Sequence, residues 1–434
     1  MRGTVRGMSN VRAAFTRALP LVLALAATVA ISGRASAVTA PAQWTQFRID
    51  GTHNVVLDDD LDTSWTSVTG GAISSSPAVS GSVLYIGNNH GDLNAIDVKT
   101  GQVLWSKHLS NDLMSQPLLY DGLVIVGEGD EQSQGSAPNT VYVGQGPSAL
   151  VALDAKTGQV RWRLVVAGSA MPTGAIVNNM LIEHNGAGWL TAADPHTGKV
   201  LYARNMHSIA SMTGALPVGS NAIVTIGVLD NAVQAIRVAD GATIWRTSFP
   251  AEGSGHGDCP PVTDGTLLVC NYVMPKPPAT YTSVDSPAIQ HAYALDVRTG
   301  AKLWDVTLEG GTLPWRNEGA IPMLLDGVVY FGSAVSPYMH ALDAKTGRTI
   351  WEARVRAPVK GGVVSTNGHL YFGDLKGYLW SFDAKTGREI GCKKMRSGFN
   401  VGSPIIVGKT LIVGSRTGSL YAVPLADIDN GKDT

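Results

Sequence analysis

Short runs of apolar and β-branched residues alternate with turn residues along most of the chain, and the grouping recurs at a spacing of about 40 residues. Residues 74–105, SSSPAVSGSVLYIGNNHGDLNAIDVKTGQVLW, show one complete unit, in which strand-length runs are separated by turns and the last ends on Trp105. The first two runs meet at Ser80-Gly81. The matching places elsewhere read Asp121-Gly122, Asn178-Asn179, Asp264-Gly265, Asp326-Gly327 and Asn367-Gly368, dipeptides that accept the positive φ of tight hairpins. Between the third and fourth runs stands a phrase that repeats as DVKTGQVLW from Asp97, DAKTGQVRW from Asp154, DPHTGKVLY from Asp194, VADGATIW from Val238, DVRTGAKLW from Asp296, DAKTGRTIW from Asp343 and DAKTGREI from Asp383. SRTGSLYAV from Ser415 is read as a worn eighth copy. Its Asp and Thr side chains bond local backbone while Gly takes a conformation other residues resist, so the phrase is a structural turn.

Four-stranded units repeated in this way predict an all-β fold, an eight-bladed β-propeller. Trp105, Trp162, Trp245, Trp304 and Trp351 fall at one repeat position, with Tyr202 and Ile390 in two other units, where a flat ring fills the wedge between neighbouring blades. The last unit, Asn400 to Val423, holds three strands and no terminal Trp, whereas Leu61 to Ser67 carries Trp65 at the missing position. The N-terminal strand is therefore expected to complete the last blade and remove the exposed edges of an open sheet. The expected organisation is a leader over 1–37, an N-terminal segment over 38–60, the propeller over 61–426 and a tail over 427–434.

The leader reading rests on Arg2, Arg6, Arg12 and Arg17, the apolar run LPLVLALAATVAISG and Ala35-Ser36-Ala37, which together describe a signal peptide cut before Val38 and a periplasmic or secreted protein. No later stretch is apolar enough to span a membrane. A net charge of -1 and a pI near 6.8 exclude nucleic acid as a partner. Asp58, Asp59, Asp60 and Asp62 read as a solvated loop, and no metal site is expected. Cys259 and Cys270 flank Asp264-Gly265 at equal distances and should face each other across a hairpin; export permits a disulfide, the hydrogen-bonded pairing disfavours one, and both outcomes stay open. Cys392 stands alone.

AIDVKTGQVLW, ALDAKTGQVRW, ALDVRTGAKLW and ALDAKTGRTIW resemble the tryptophan-docking motif of the pyrroloquinoline quinone (PQQ) repeat family, over nearly the whole mature chain. The resemblance implies three functional classes: quinoprotein alcohol dehydrogenases that use PQQ with calcium, cofactor-free scaffolds such as the envelope assembly protein BamB, and secreted hydrolases of sulfur compounds such as tetrathionate hydrolase. The dehydrogenases' vicinal disulfide and their calcium-binding and catalytic carboxylates find no match here, so a quinoprotein-like oxidoreductase with PQQ and calcium stays open as the first of these classes but is not supported by matched residues. BamB's lipid-attachment cysteine has no counterpart. Whether the protein is an enzyme stays open.

Equivalent positions of successive units converge around a propeller's axis. Aligned on the hairpins, Asp258 and Lys360 share one position just before the innermost strand, and Glu318 and Asn400 share its neighbour; His256, Arg316 and Asn317 lie within two residues of these. Such a mixture of charges suits a small polar ligand, with Asp258 and Glu318 as candidate acid/base residues and His256, Arg316, Asn317, Lys360 and Asn400 as candidate ligand-binding residues. Met114, Met171 and Met212 make the opposite side of the mouth apolar and polarisable, which suits a sulfur-containing or partly apolar ligand as well as ordinary packing. Two insertions between second and third strands, one holding Glu128, Asp130 and Glu131, are placed to cover one face. A small molecule is the expected partner, with envelope proteins as the alternative.

Overall fold

The structure is a computed structural model that describes residues 43–130, 146–227, 230–250, 259–276, 285–313 and 319–432, with strand backbone also at 38–39, 133–134 and 141–142. Contacts divide the chain after Ser36, and everything below concerns the unit that follows, Ala37–Thr434. The leader and its cleavage site lie outside the described residues.

Seven four-stranded antiparallel sheets and one six-stranded sheet form the eight blades of a β-propeller, with one small extra hairpin, Ser133–Gln134 with Val141–Tyr142, in the blade 2 insertion. Blade 1 runs Ala78–Ser80, Val83–Gly87, Asp92–Asp97 and Val103–His108 from the axis outward. Its second and third strands are buried almost throughout because blades press on both faces, whereas the outermost strand is largely exposed. Hairpins between first and second strands use Asp121-Gly122, Asn178-Asn179, Asp326-Gly327 and Asn367-Gly368, all with positive φ. Blade 1 differs by one residue: Ser80 pairs with Val83, so its turn is Gly81-Ser82.

Each docking Trp bonds the turn phrase of the next blade. Trp105 Nε1 donates to the Ala155 carbonyl at 3.1 Å, Trp162 to Pro195 at 3.0 Å, Trp304 to Ala344 at 2.9 Å and Trp351 to Ala384 at 2.9 Å; the Tyr202 hydroxyl donates to Val238 at 2.7 Å. Each of these Trp rings also covers the phrase's Gly: a Cβ on Gly158, whose φ is 68°, would stand 2.8 Å from the Trp105 ring. The Asp97 carboxylate accepts the Thr100 hydroxyl and the Lys99 and Thr100 amides, which outweigh its partial burial and lower its pKa.

Ring closure follows the sequence reading. Trp65–Val68 pairs antiparallel with Ser419–Pro424, Trp65 opposite Ala422, and Trp65 Nε1 donates to Val98 of blade 1 at 3.0 Å. The motif at Ser415 needs correction. Ser415 to Gly418 lies between the second and third strands of blade 8, Thr410–Gly414 and Ser419–Pro424, and is therefore not a copy of the Asp-x-x-Thr-Gly turn. After the third strand the chain forms a short helix, Leu425–Asp429, that replaces a docking Trp at the blade 7–8 junction. Asp429 accepts hydrogen bonds from Tyr371 and Ser381, and Gly391 lets the helix carbonyls approach closely.

Cys259 and Cys270 form a disulfide with a Cα separation of 6.3 Å, while Cys392 is free and buried. The two do not face each other directly. Thr263 pairs with Leu268 and Val262 with Val269, so the longer turn shifts the register and makes the bridge diagonal.

Candidate functional site

In an antiparallel blade, the link into the first strand and the link between second and third strands lie at the same end. The strand ends that flank the insertions of blades 2 and 5 therefore lie at the same end as the links into the innermost strands. Four residues ahead of the innermost strands stand Ser74, Met114, Met171, Met212, Gly319, Lys360 and Val401, an outer ring around the axis. Two residues deeper stand Ser76, Gln116, Thr173, Gly214, Pro260, Ile321, Gly362 and Ser403.

A small cavity opens between these rings. Ser74, Met114, Met171, Met212 and Val401 line it above, Ser76, Thr173, Pro260 and Ile321 below, and Phe47 closes its floor; its volume is about 20 Å³, room for a water. Met114, Met171 and Met212 pack together as one cluster, so the polarisable wall exists as a contiguous surface across blades 2 to 4. Lys360 takes the outer-ring place on blade 7 and is buried, 5 % exposed. Its segment touches that of Asn400: a Cβ on Gly361 would stand 2.8 Å from the Asn400 carbonyl and 2.9 Å from that of Gly402. Asp258, His256, Arg316, Asn317 and Glu318 lie outside the described residues, flanked by Cys259 and Gly319.

Of the insertion acids, Glu128 is buried, accepts Ser110 N–H at 2.9 Å and is ion-paired with Arg163, so it fastens two strands. Asp130 accepts Asn111 Nδ2 and Gly146 N–H, and Glu131 lies outside the described residues.

Sequence reasoning missed the floor. Residues 44–58 run inside the ring and bond the inner strands of six blades. Trp44 exchanges both backbone bonds with Leu119; Thr45, Gly51 and Thr52 carbonyls accept from Ile176, Thr263 and Leu324; Asn54 bonds Ser365 through both amide atoms; and Val56–Asp58 pairs parallel with Ile405–Val407. Trp44, Arg48 and His53 are fully buried there. Burial first, and the Arg48 charge second, lower the His53 pKa to about 3, so its ring is neutral; its Nδ1 lies 3.1 Å from the Pro322 carbonyl. The apolar pattern Trp44, Phe47, Ile49, Val55, Val56 was the available signal, but it carries no repeat.

A calcium-bound PQQ would need carboxylate and cationic donors around a planar tricarboxylate. The described lining offers hydroxyls, thioethers and carbon, and no group of three or more His, Cys, Asp or Glu side chains gathers among the described residues. The single disulfide joins residues 11 apart in sequence. The described residues do not fit that cofactor, and no chemistry is routed through it.

Comparison with known proteins gives sequence relatives of two kinds and a third likeness in fold alone. The chain is 26% identical over 373 residues to a tetrathionate hydrolase of Acidithiobacillus ferrooxidans, covering 82% of this chain and 73% of the relative. It is 24% identical over 360 residues to the outer membrane protein assembly factor BamB of Yersinia pestis, covering 80% and 83%. In fold it is similar to the quinohemoprotein alcohol dehydrogenase of Comamonas testosteroni, with TM-score 0.61, 13% identity and coverage of 91% of this chain and 82% of that one. A family model described as outer membrane protein assembly factor BamB matches residues 32–139, 132–273 and 289–433, and the chain belongs to that family of PQQ-repeat propellers.

Proposed function

We propose that this protein is an exported propeller that binds a small, soft sulfur compound at the mouth of its axial channel and cleaves it by cofactor-free hydrolysis. The observation that carries the reading is the contiguous arc of Met114, Met171 and Met212 in the same ring as Lys360. Thioethers meet a polarisable sulfur chain, and the ammonium suits an anionic end group. In this reading Asp258 or Glu318 takes the proton of an attacking water while the other protonates the departing sulfur, and His256, Arg316, Asn317 and Asn400 hold the substrate. The likeness to a tetrathionate hydrolase over most of both chains supports the substrate class. The leader-like N-terminus and the Cys259–Cys270 bridge support export.

The test is calorimetric titration with tetrathionate, together with turnover, for wild type, Lys360→Ala and Asp258→Ala. Both substitutions should abolish binding or turnover in protein that still folds, with the larger loss of thermal stability in Lys360→Ala because that side chain is buried. Wild-type affinity in both variants would sink the reading.

A scaffold for envelope proteins is the second reading. Family membership favours it, and so does a belt of exposed aliphatic residues at one repeat position on the outer strands: Leu104, Leu201, Ile244, Leu303 and Ile350. It predicts that the channel variants are silent and that polar substitutions in this belt abolish partner capture.

A further inference from the structure

Arg48 lies on the axial segment beside Phe47, the floor of the mouth. Its guanidinium is fully buried, yet among the described residues every bond it makes is to a carbonyl: Nε to His53 at 2.8 Å, Nη1 to Pro404 at 3.0 Å and Nη2 to Val363 at 3.1 Å. No carboxylate pairs with it among the described residues. Burial lowers its pKa to about 9, partly offset by Asp50, so it stays charged at neutral pH. Burying a cation against carbonyls alone is costly, and an apolar side chain of similar size would avoid that cost unless the charge is used.

Its position shows what the charge can reach. The deeper ring lines the cavity at Ser76, Thr173, Pro260 and Ile321, but on blades 7 and 8 its members are Gly362 and Ser403. Arg48 covers that arc: a Cβ on Gly362 would stand 3.0 Å from Arg48 Nη1 and 2.6 Å from the Ser403 hydroxyl. Lys360, two residues before Gly362, places a second cation one layer above. The backbone is held against its preference, with positive φ at Arg48, Ile49 and His53, and Gln116 Oε1 accepts the Arg48 N–H at 2.8 Å.

We infer that Arg48 is a positioning residue that gives the blade 7–8 side of the mouth a positive potential and selects an anionic ligand. The inference rests on the mouth being the ligand site, and its test separates the two. A reporter thiol, Met212→Cys, sits in the outer ring, while Cys392 is buried and the other cysteines are bridged. The pH dependence of its alkylation by iodoacetamide is measured with Arg48 and with Arg48→Met, or Arg48→Gln if the first does not fold. The thiol pKa should rise by about half a unit or more when the charge is removed. An unchanged thiol pKa overturns the proposal whatever the protein binds.

In the second arm thiosulfate is titrated into the proteins without the reporter. Its Kd should rise roughly tenfold in Arg48→Met and largely recover in Arg48→Lys, whereas affinity for neutral dimethyl disulfide should not change. Equal thiosulfate affinity in wild type and Arg48→Met, or parallel losses for both probes, overturns Arg48 as a selector. A normal thiol shift in a wild type that takes up neither probe supports the potential and overturns the ligand reading of the mouth.

Discussion

His53 reports on whether the axial segment is seated. It is 1 % exposed, its Nδ1 faces the Pro322 carbonyl of blade 6, and its ring meets Phe47 edge-on with centroids 5.1 Å apart. Its pKa falls from 6.5 to about 3 through burial and then through the Arg48 charge. Because the folded value lies below the unfolded one, the unfolded chain takes up the extra proton. Stability is thus fully present above pH 6.5 and is lost as pH falls toward 3. A displacement of this size corresponds to a limit of about 5 kcal/mol and to about 2 kcal/mol at pH 5.

The assay is urea unfolding at pH 7.5 and pH 5.0 for wild type and His53→Gln, which keeps a donor for Pro322 and cannot take a proton. Wild type should lose about 2 kcal/mol more than the variant on acidification. His184, also buried and lowered to about 4, titrates in both proteins and cancels. Removing the Arg48 charge should raise the folded value, which leaves the loss at pH 5 nearly unchanged and shrinks it only nearer pH 3. Equal acid losses in wild type and His53→Gln would refute the buried, neutral His53 and with it the seated axial segment.

Two further expectations concern the frame. Trp65→Ala should cost roughly 3–5 kcal/mol by calorimetry, because the ring docks on blade 1 and its strand closes blade 8, while Leu104→Ser, 50% exposed, should stay within about 0.5 kcal/mol; comparable losses would remove the docking argument. Glu183 is fully buried with neither carboxylate oxygen bonded to a described residue, and burial raises its pKa well above 4.5. A raised folded pKa gives stability that is present below the ordinary value and lost as pH rises. Glu183→Gln should therefore raise the melting temperature at pH 7 and not at pH 4, and the same change at both pH values would contradict it.

The ring was legible because its determinants are local and repeated. An Asp-x-x-Thr-Gly turn and a Trp a few residues on specify both a hairpin and the contact to the next blade, so the blade count and the closing role of Trp65 follow from alignment alone. The Ser415 motif misled because a second-to-third strand turn also needs a Gly with positive φ, and Gly418 at 82° supplies it in a similar local sequence. The cysteine register slipped because Thr263 and Asp264 side chains build a longer turn, with Thr263 Oγ1 bonding Leu267 and Asp264 accepting from Thr266 and Leu267. The axial segment was invisible for the opposite reason. Its partners are single carbonyls and amides on six different blades, which no spacing along the chain encodes.

That segment also narrows where chemistry can occur. A propeller ordinarily offers a channel with inner strand edges along its wall, but here those edges are bonded to the protein's own residues 44–58, and Phe47 floors the mouth. What is left is one face, built from the links into the innermost strands. On blades 1 to 4 the outer ring is serine and methionine; the links into blades 5 and 6 instead carry His256, Asp258, Arg316, Asn317 and Glu318, and blade 5 adds lengthened strands on the same side. Local regularity breaks where a chain is under a constraint other than folding. In sequence that break coincides with the titratable residues of the links into blades 5 and 6, which is why the proposed site pairs those residues with the methionine arc of blades 2 to 4.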